Sequence, residues 1–203
     1  MSEINSSDSY KSILKPSTGI YKELGSKFLS FAYPVSFEEE TKELVQNIKK
    51  SHFDARHHCF AYRLGLSGDL WRANDDGEPS SSAGKPIYGQ LLSYELSDVL
   101  IIVVRYFGGT KLGIPGLIRA YRSAAADAIL NAEIIEKIAG ETVDFSFGYF
   151  QMNQIMKLIK DFSPDILEQN FDNICTIKAR VRLKNIAVFT SALLEIEGVS
   201  IIK

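Results

Sequence analysis

The chain has 203 residues, and its 23 lysines and arginines against 25 aspartates and glutamates give a formal charge of −2. Hydrophobic residues make up 45% and charged residues 24%, which excludes a disordered chain, a collagen-like repeat and a disulfide-dense mini-protein. The near-neutral charge also excludes nucleic-acid binding that rests on a uniformly basic protein.

Cysteine content and the start of the chain indicate the compartment. Cys59 and Cys175 are too few for a disulfide framework. Residues 1–11 are polar and lack the apolar segment of a signal peptide. The longest aliphatic run, 99–104, is far shorter than the ~20 residues that span a bilayer. We therefore expect a cytoplasmic protein with reduced thiols and no membrane partner.

Hydrophobic periodicity and turn residues predict the elements of the first two thirds of the chain. Residues 1–18 are serine-rich and polar, and we expect them to be flexible. Ser36 and Glu39 fit a capping box at the start of a helix. The predicted elements are, in order, a hairpin (19–24 and 27–32), a helix (37–50), two strands (57–64 and 69–73), a loop (74–84), a helix (86–96), a buried strand (99–104), a glycine-rich loop (105–116) and a helix that extends from Pro115 to about 137.

The pattern changes at Gly140, where a compact second domain is predicted. Its elements are a strand (142–147), a helix (150–160), two strands (165–171 and 175–183), a helix (186–195) and a strand (199–202). This β-α-β-β-α-β order is typical of a ferredoxin-like domain. The predicted fold class is therefore α+β, with a flexible segment 1–18, an N-terminal domain 19–139 and a C-terminal ferredoxin-like domain 140–203.

The first chemically distinctive segment, 54–59, contains Asp54, His57 and Cys59. On a strand, His57 and Cys59 share one face and His58 lies on the other. A cysteine beside a histidine can supply a thiolate nucleophile. The alternative is a half-buried strand whose polar side chains satisfy local hydrogen bonds.

The second segment, 74–86, places Asp75, Asp76 and Glu78 within four positions. Three carboxylates can hold Mg²⁺ through oxygen ligands, although the spacing is not that of an EF-hand. The alternative is a solvated acidic turn followed by a helix cap.

The third segment, 105–122, joins a buried strand to a helix through a glycine-rich loop, and no acidic residue lies between 99 and 126. Free N–H groups and the helix dipole at such a junction favour an anion. Its aromatic residues Tyr106, Phe107 and Tyr121 add surfaces for stacking. Alternatively, the glycines form a tight turn and the cations are a solvated rim. The residues predicted to bind an anion are Lys85, Arg105, Gly108, Gly109, Lys111, Gly113 and Arg119.

Together the three segments resemble the IMPACT/YigZ family, over about residues 15–135. The family pattern is D-A-x-H-x-C, then D-D-G-E-P with A-G-x-P, then R-Y-F/Y-G-G-x-x-L-G with G-L-I/V-x-A-Y. The matching residues are Asp54, Ala55, His57 and Cys59; Asp75 to Pro79, Ala83, Gly84 and Pro86; and Arg105 to Gly109, Leu112, Gly113, Gly116, Leu117, Ala120 and Tyr121. The rest of the chain resembles the C-terminal domain of bacterial two-domain members.

The resemblance implies an N-terminal domain similar to the ribosomal-protein and elongation factor G domain IV type of fold, and a C-terminal domain similar to domain V of that factor. Eukaryotic relatives are linked to control of translation initiation through a competing protein contact, and the fold suggests nucleic-acid binding. The sequence departs from the family pattern at Ser81-Ser82, where Gly-Thr is usual, and at Ile114-Pro115, where Thr-Gly is usual.

Three functional hypotheses follow. The leading one is a non-enzymatic binding protein, with RNA, the ribosome or a translation-control protein as partner and with no cofactor and no resident metal. An alternative is a metal-dependent hydrolase or peptidase that uses Asp75, Asp76, Glu78 and His57, or a Cys59 nucleophile. A third is an interaction module in which the motif residues are structural, with Asp54 capping a turn and Arg105 paired with a loop acid.

Overall fold

The computed structural model describes residues 8–202 and divides into two compact units. The first comprises Tyr10–Lys137, and the second comprises the chain from Ile138 together with residues 8 and 9. Each unit has its own hydrophobic core. Within residues 8–202, no helix is long and apolar enough to cross a membrane.

Up to the boundary between the units, the chain forms seven strands and three helices within its described part. In order these are β1 (Ser9–Ile13), β2 (Ser17–Glu23), β3 (Ser26–Pro34), α1 (Glu38–Ser51), β4 (His57–Leu64), β5 (Leu70–Asn74), α2 (Gly84–Ser93), β6 (Val99–Tyr106), α3 (Gly113–Leu130) and β7 (Ile134–Ile138). Strands β1 and β7 pair with each other, and the remaining five form one sheet in the order β2-β3-β6-β4-β5.

The central strand β6 is buried on both faces because helices cover both sides of the five-stranded sheet. Leu100 and Ile102 pack with residues of α1 on one face. Ile101 and Val103 pack with residues of α2 and α3 on the other. The near-continuous aliphatic run of β6 is what such a doubly covered strand requires.

The register of the sheet places the candidate residues at one end of β6. Arg105 lies opposite Phe28 of β3 on one side and opposite His57 of β4 on the other. Since side chains alternate along a strand, Arg105, His57 and Cys59 share the face of the sheet that α2 and α3 cover. The predicted placement of His57 and Cys59 on one face is therefore confirmed.

The second unit has the predicted β-α-β-β-α-β order. Its elements are β8 (Gly140–Phe147), a 3₁₀ turn (Tyr149–Gln151), α4 (Met152–Phe162), β9 (Asp165–Phe171), β10 (Cys175–Arg182), a second 3₁₀ turn (Leu183–Asn185), α5 (Ile186–Leu194) and β11 (Ser200–Ile202). The antiparallel sheet has the order β11-β8-β10-β9. Its core contains Phe145, Ile155 and Phe189, contributed by the sheet and both helices.

Three sequence predictions about local structure are wrong. Residues 9–13 form β1 rather than flexible chain, because their partner β7 lies far along the sequence; residues 1–7 of that predicted segment lie outside the described residues. The helix from Pro115 ends at Leu130, since the isoleucines of 134–138 form a strand. The capping box of Ser36 and Glu39 is absent, and Glu40 instead accepts the N–H of Ser36, 2.7 Å away.

Glycine at position 19 permits the close approach of β2 to α3. A Cβ there would lie 2.5 Å from the backbone nitrogen of Ala128 and 2.7 Å from Oγ of Ser30. We expect Gly19→Ala to lower the free energy of unfolding by about 1–3 kcal/mol, the usual cost of overpacking.

The control for this prediction is Gly89→Ala in α2, where a Cβ would meet no atom within 4 Å. Alanine is a better helix former than glycine, so this change should raise the free energy of unfolding by about 1 kcal/mol. Urea unfolding measures both, and equal effects of the two substitutions would contradict the close approach.

Candidate functional site

A cleft of about 410 Å³ lies beside the end of β6, and we call it the Arg105 cleft. His57 at the start of β4 and Arg56 immediately before it line the cleft, and the loop before α2 contributes Glu78. The glycine-rich loop after β6 contributes Phe107 and Lys111. The remaining wall is apolar and comes from Pro79, Leu112, Ile114 and Leu117.

A buried ion pair lines the Arg105 cleft. Nη1 of Arg105 donates to Oε1 of Glu78 over 2.7 Å, and their side chains are only 9% and 4% exposed. The hydroxyl of Tyr121 donates to the same oxygen over 2.8 Å. The guanidinium also lies 5.6 Å from the ring centres of both Phe28 and Phe107. The pairing of Arg105 with a loop acid, which the interaction-module hypothesis predicted, is confirmed.

Cys59 is fully buried and is linked to this ion pair through the hydroxyl of Tyr121. Its Sγ is 3.0 Å from the carbonyl oxygen of Asp75, to which it donates, and 3.3 Å from the hydroxyl of Tyr121. Burial raises the pKa of the Cys59 thiol well above its usual range, and nearby carboxylates raise it further. Burial and these hydrogen bonds favour a structural thiol over the nucleophile that the sequence left open.

The carboxylate of Asp75 holds the loop that precedes α2. It accepts the backbone N–H groups of Ser81, Ala83 and Gly84 over 2.8–3.0 Å, the last two of which lie at the start of the helix. Ser81 has φ of +63°, a left-handed conformation that costs a serine energy but a glycine nothing.

Asp76 joins the loop to α1 and β4. Its carboxylate accepts Nζ of Lys49 and the backbone N–H of His58, both over 2.7 Å, and its carbonyl oxygen is 2.9 Å from Nδ1 of His57. Burial alone would raise the pKa of Asp76, but the hydrogen bonds from Lys49 and His58 outweigh it and lower the pKa below its usual value.

The acidic loop therefore does not form the metal site that the hydrolase hypothesis requires. Asp75, Asp76 and Glu78 each bind a different set of donors inside the protein. No group of three or more histidine, cysteine, aspartate or glutamate side chains in residues 8–202 is arranged to hold a metal ion. The predicted convergence of these carboxylates with His57 on one cation is wrong.

Of the cations predicted to bind an anion, only Arg105 and Lys111 line the cleft. Lys85 lines a separate depression with Arg122, between α2 and α3. Arg119 is paired with Glu23 of β2. The sequence alone does not show which of these cations share a surface, because that depends on the path of the loops between them.

The predicted glycines have different positions. Gly108 packs against the hairpin turn, where a Cβ would lie 1.9 Å from the carbonyl carbon of Gly25, so its role is structural. Gly109 has φ of +89° and faces open space. Gly113 has φ of +69° and lines the cleft at the start of α3.

Several motif side chains are structural. Asp54 accepts the hydroxyl of Tyr106 over 3.1 Å on the α1 side of the sheet rather than capping a turn. Among the aromatic residues predicted to stack on a ligand, Tyr121 is fully buried. Phe107 is 55% exposed and lines the cleft. Arg56 lines the cleft but was not among the residues predicted from the sequence, although it lies next to His57 within the segment 54–59.

The part of the chain that matches known proteins includes this site. The family model of the Impact N-terminal domain matches residues 24–129, more than half of the chain. The chain belongs to the IMPACT family. Every residue of the Arg105 cleft lies within the matched range.

Relatives of this IMPACT family member match most of its length. The IMPACT family member YvyE of Bacillus subtilis is 34% identical over 171 residues, which are 84% of this chain and 79% of that protein. The IMPACT family member YigZ of Escherichia coli is 28% identical over 83% of each chain. A solved structure described as the crystal structure of a hypothetical protein aligns with this chain over 96% of both chains, with a TM-score of 0.71 and 25% identity.

The hydrogen bonds of Asp75 predict a large effect of its removal. We expect Asp75→Ala to lower the free energy of unfolding by about 3 kcal/mol, because three N–H groups lose a charged acceptor. Thermal or urea unfolding measures the loss. The control is Asp69→Ala, an exposed aspartate whose carboxylate has no hydrogen bond within residues 8–202, and it should change the stability by less than about 0.5 kcal/mol. Equal effects would contradict the role of Asp75.

The lowered pKa of Asp76 predicts a dependence of stability on pH. Its ionised form stabilises the fold above the ordinary aspartate pKa of about 3.9, and this contribution is lost as the pH falls through the folded-state value. The difference in unfolding free energy between the wild type and Asp76→Asn should therefore be largest near neutral pH and shrink below about pH 4. Urea unfolding across this pH range, with Asp69→Asn as control, measures it; a difference that grows on acidification would refute the assignment.

Proposed function

We propose that this IMPACT family member is a non-enzymatic binding protein of the translation system and that it binds RNA through the Arg105 cleft. The observation that carries the proposal is the pair of exposed cations, Arg56 and Lys111, at this cleft. Neither forms an ion pair with an acidic residue in the described part of the chain. Both are therefore available to the phosphates of a ligand.

The local charge of the Arg105 cleft supports this proposal. Three cations, Arg56, Arg105 and Lys111, line it against one carboxylate, Glu78. The excess of positive charge is therefore local, in a chain whose formal charge is −2. A cationic surface of this kind attracts phosphodiesters, and its binding weakens as salt rises.

The second unit gives less support for RNA contact. The face of its sheet away from the helices carries Thr142, Asp144 and Ser146 from β8 and Thr176, Lys178, Arg180 and Arg182 from β10. Sheets that bind single-stranded RNA stack bases on aromatic side chains, and none of these residues is aromatic. Lys178 and Arg182 are moreover paired with Glu168 and Asp8. We therefore assign RNA binding to the first unit.

The setting in translation comes from the family resemblance, which links eukaryotic relatives to control of translation initiation. The proposed likeness of the two units to domains IV and V of elongation factor G also rests on that resemblance. We propose ribosomal or messenger RNA as the ligand and a translation-control protein as a further partner.

Combined replacement of Arg56 and Lys111 by alanine tests the proposal. We expect weaker binding of a single-stranded RNA of roughly 12 nucleotides, with a less steep dependence of log K on log salt concentration by roughly 0.7 per lost phosphate contact. Fluorescence anisotropy across a salt titration measures both quantities. Arg105 is left intact because its removal would leave Glu78 buried without its ion-pair partner.

The matched control is Lys42→Ala, an exposed cation on α1, which covers the opposite face of the sheet. It should leave the affinity and the salt dependence unchanged. Binding that is the same in the double variant and the wild type, at equal melting temperature, would refute the proposal.

A further inference from the structure

The buried ion pair retains hydrogen-bonding capacity that the protein does not use. Both hydrogen bonds to Glu78 end on Oε1, and within residues 8–202 none ends on Oε2. Arg105 donates through Nη1, whereas its Nε is buried without a partner in the same range and its Nη2 makes no hydrogen bond there. Both residues line the Arg105 cleft. The cleft is therefore lined by an ion pair in which Oε2 of Glu78 and Nη2 of Arg105 have no hydrogen-bond partner within residues 8–202.

These groups define the edge of a complementary ligand. A carboxylate oxygen accepts an N–H, and a guanidinium donates to a carbonyl oxygen or a ring nitrogen. A ligand that carries a donor and an acceptor next to each other on one edge satisfies both. Nucleobases have such edges, and a site that leaves polar groups unpaired disfavours a ligand without them.

The remaining walls of the cleft suit the flat faces of such a ligand. Phe107 is 55% exposed, and its ring lies beside the guanidinium of Arg105. Pro79, Ile114 and Leu117 supply apolar surface around it. Exposed aromatic rings of RNA-binding proteins stack on bases regardless of sequence, since every base has a π-face. A phosphate alone would use none of this surface.

We propose that the Arg105 cleft receives one unpaired nucleobase, which stacks on Phe107 and meets Glu78 and Arg105 with its edge. Arg56 and Lys111 then contact the phosphates on either side of that nucleotide. This inference rests on the proposed RNA binding and adds that the base, and not only the backbone, is recognised. The ligand class is single-stranded RNA with an unstacked base.

The test compares two oligonucleotides of equal length and equal phosphate count, one single-stranded RNA of roughly 12 nucleotides and one abasic at every position. We expect the abasic chain to bind the wild type roughly 5- to 150-fold more weakly, the range measured for loss of one base–aromatic stack. Phe107→Ala should reduce the affinity for RNA by a similar factor. It should leave the salt dependence unchanged, because no cation is removed.

Two further variants keep the test specific. Phe107→Tyr retains a ring and should restore most of the affinity that Phe107→Ala loses. Phe150→Ala removes an aromatic side chain that is 98% exposed in the second unit and should have no effect. An equal loss in Phe150→Ala would overturn the assignment to the cleft.

The outcomes separate this inference from the proposed function. Equal binding of RNA and the abasic chain, both weakened by removal of Arg56 and Lys111, would overturn base recognition and leave RNA binding intact. Failure of the wild type to bind either chain would overturn both. Preference for RNA that is lost in Phe107→Ala and restored in Phe107→Tyr supports the inference.

Discussion

The ion pair between Arg105 and Glu78 is the interaction on which the candidate site depends. Removing two charges from water costs several kcal/mol per ion, so each must meet the other and further hydrogen bonds. Arg105 is fixed on the central strand, and Glu78 has to reach it from a loop. Asp75 holds that loop by three backbone hydrogen bonds, and Tyr121 of α3 adds a donor to Glu78. The loop, the strand and the helix are thereby joined at one carboxylate.

The same arrangement explains why motif residues that look catalytic are structural. Three acids in a short loop suggest a metal site in the sequence, but folding gives each of them its own donors. Asp75 binds backbone amides, Asp76 binds Lys49 and His58, and Glu78 binds Arg105 and Tyr121. A cysteine beside a histidine suggests a nucleophile, whereas Cys59 is fully buried, and burial raises the pKa of its thiol. Because Glu78 is paired with Arg105, the charged side chains of the cleft without an ion-pair partner within residues 8–202 are Arg56 and Lys111.

Local patterns predicted most of the elements, and a non-local pairing accounts for the two strands that they missed, β1 and β7. The aliphatic run of β6 and the alternation of His57, His58 and Cys59 required no information beyond their own spacing. Strand β1 could not be predicted from its polar sequence, because β7, its partner, lies more than a hundred residues away. The same holds for the candidate site. Arg105 and Lys111 were predicted from the single segment 105–122, and both line the cleft. That Lys85 lies outside the cleft depends on how α2 and α3 pack, which the sequence does not show.

The position of Arg105 on a doubly covered central strand also governs the thermodynamics of ligand entry. The guanidinium lies 5.6 Å from the ring centres of Phe28 and Phe107 and is paired with Glu78, so contacts within the protein hold it in position. Arg105 and Glu78 therefore have little conformational entropy to lose on binding, whereas the exposed Arg56 and Lys111 have more. Burial of one face of a base against Phe107 gives a negative heat-capacity change on binding. A segment that folds around RNA would instead show a much larger unfavourable entropy.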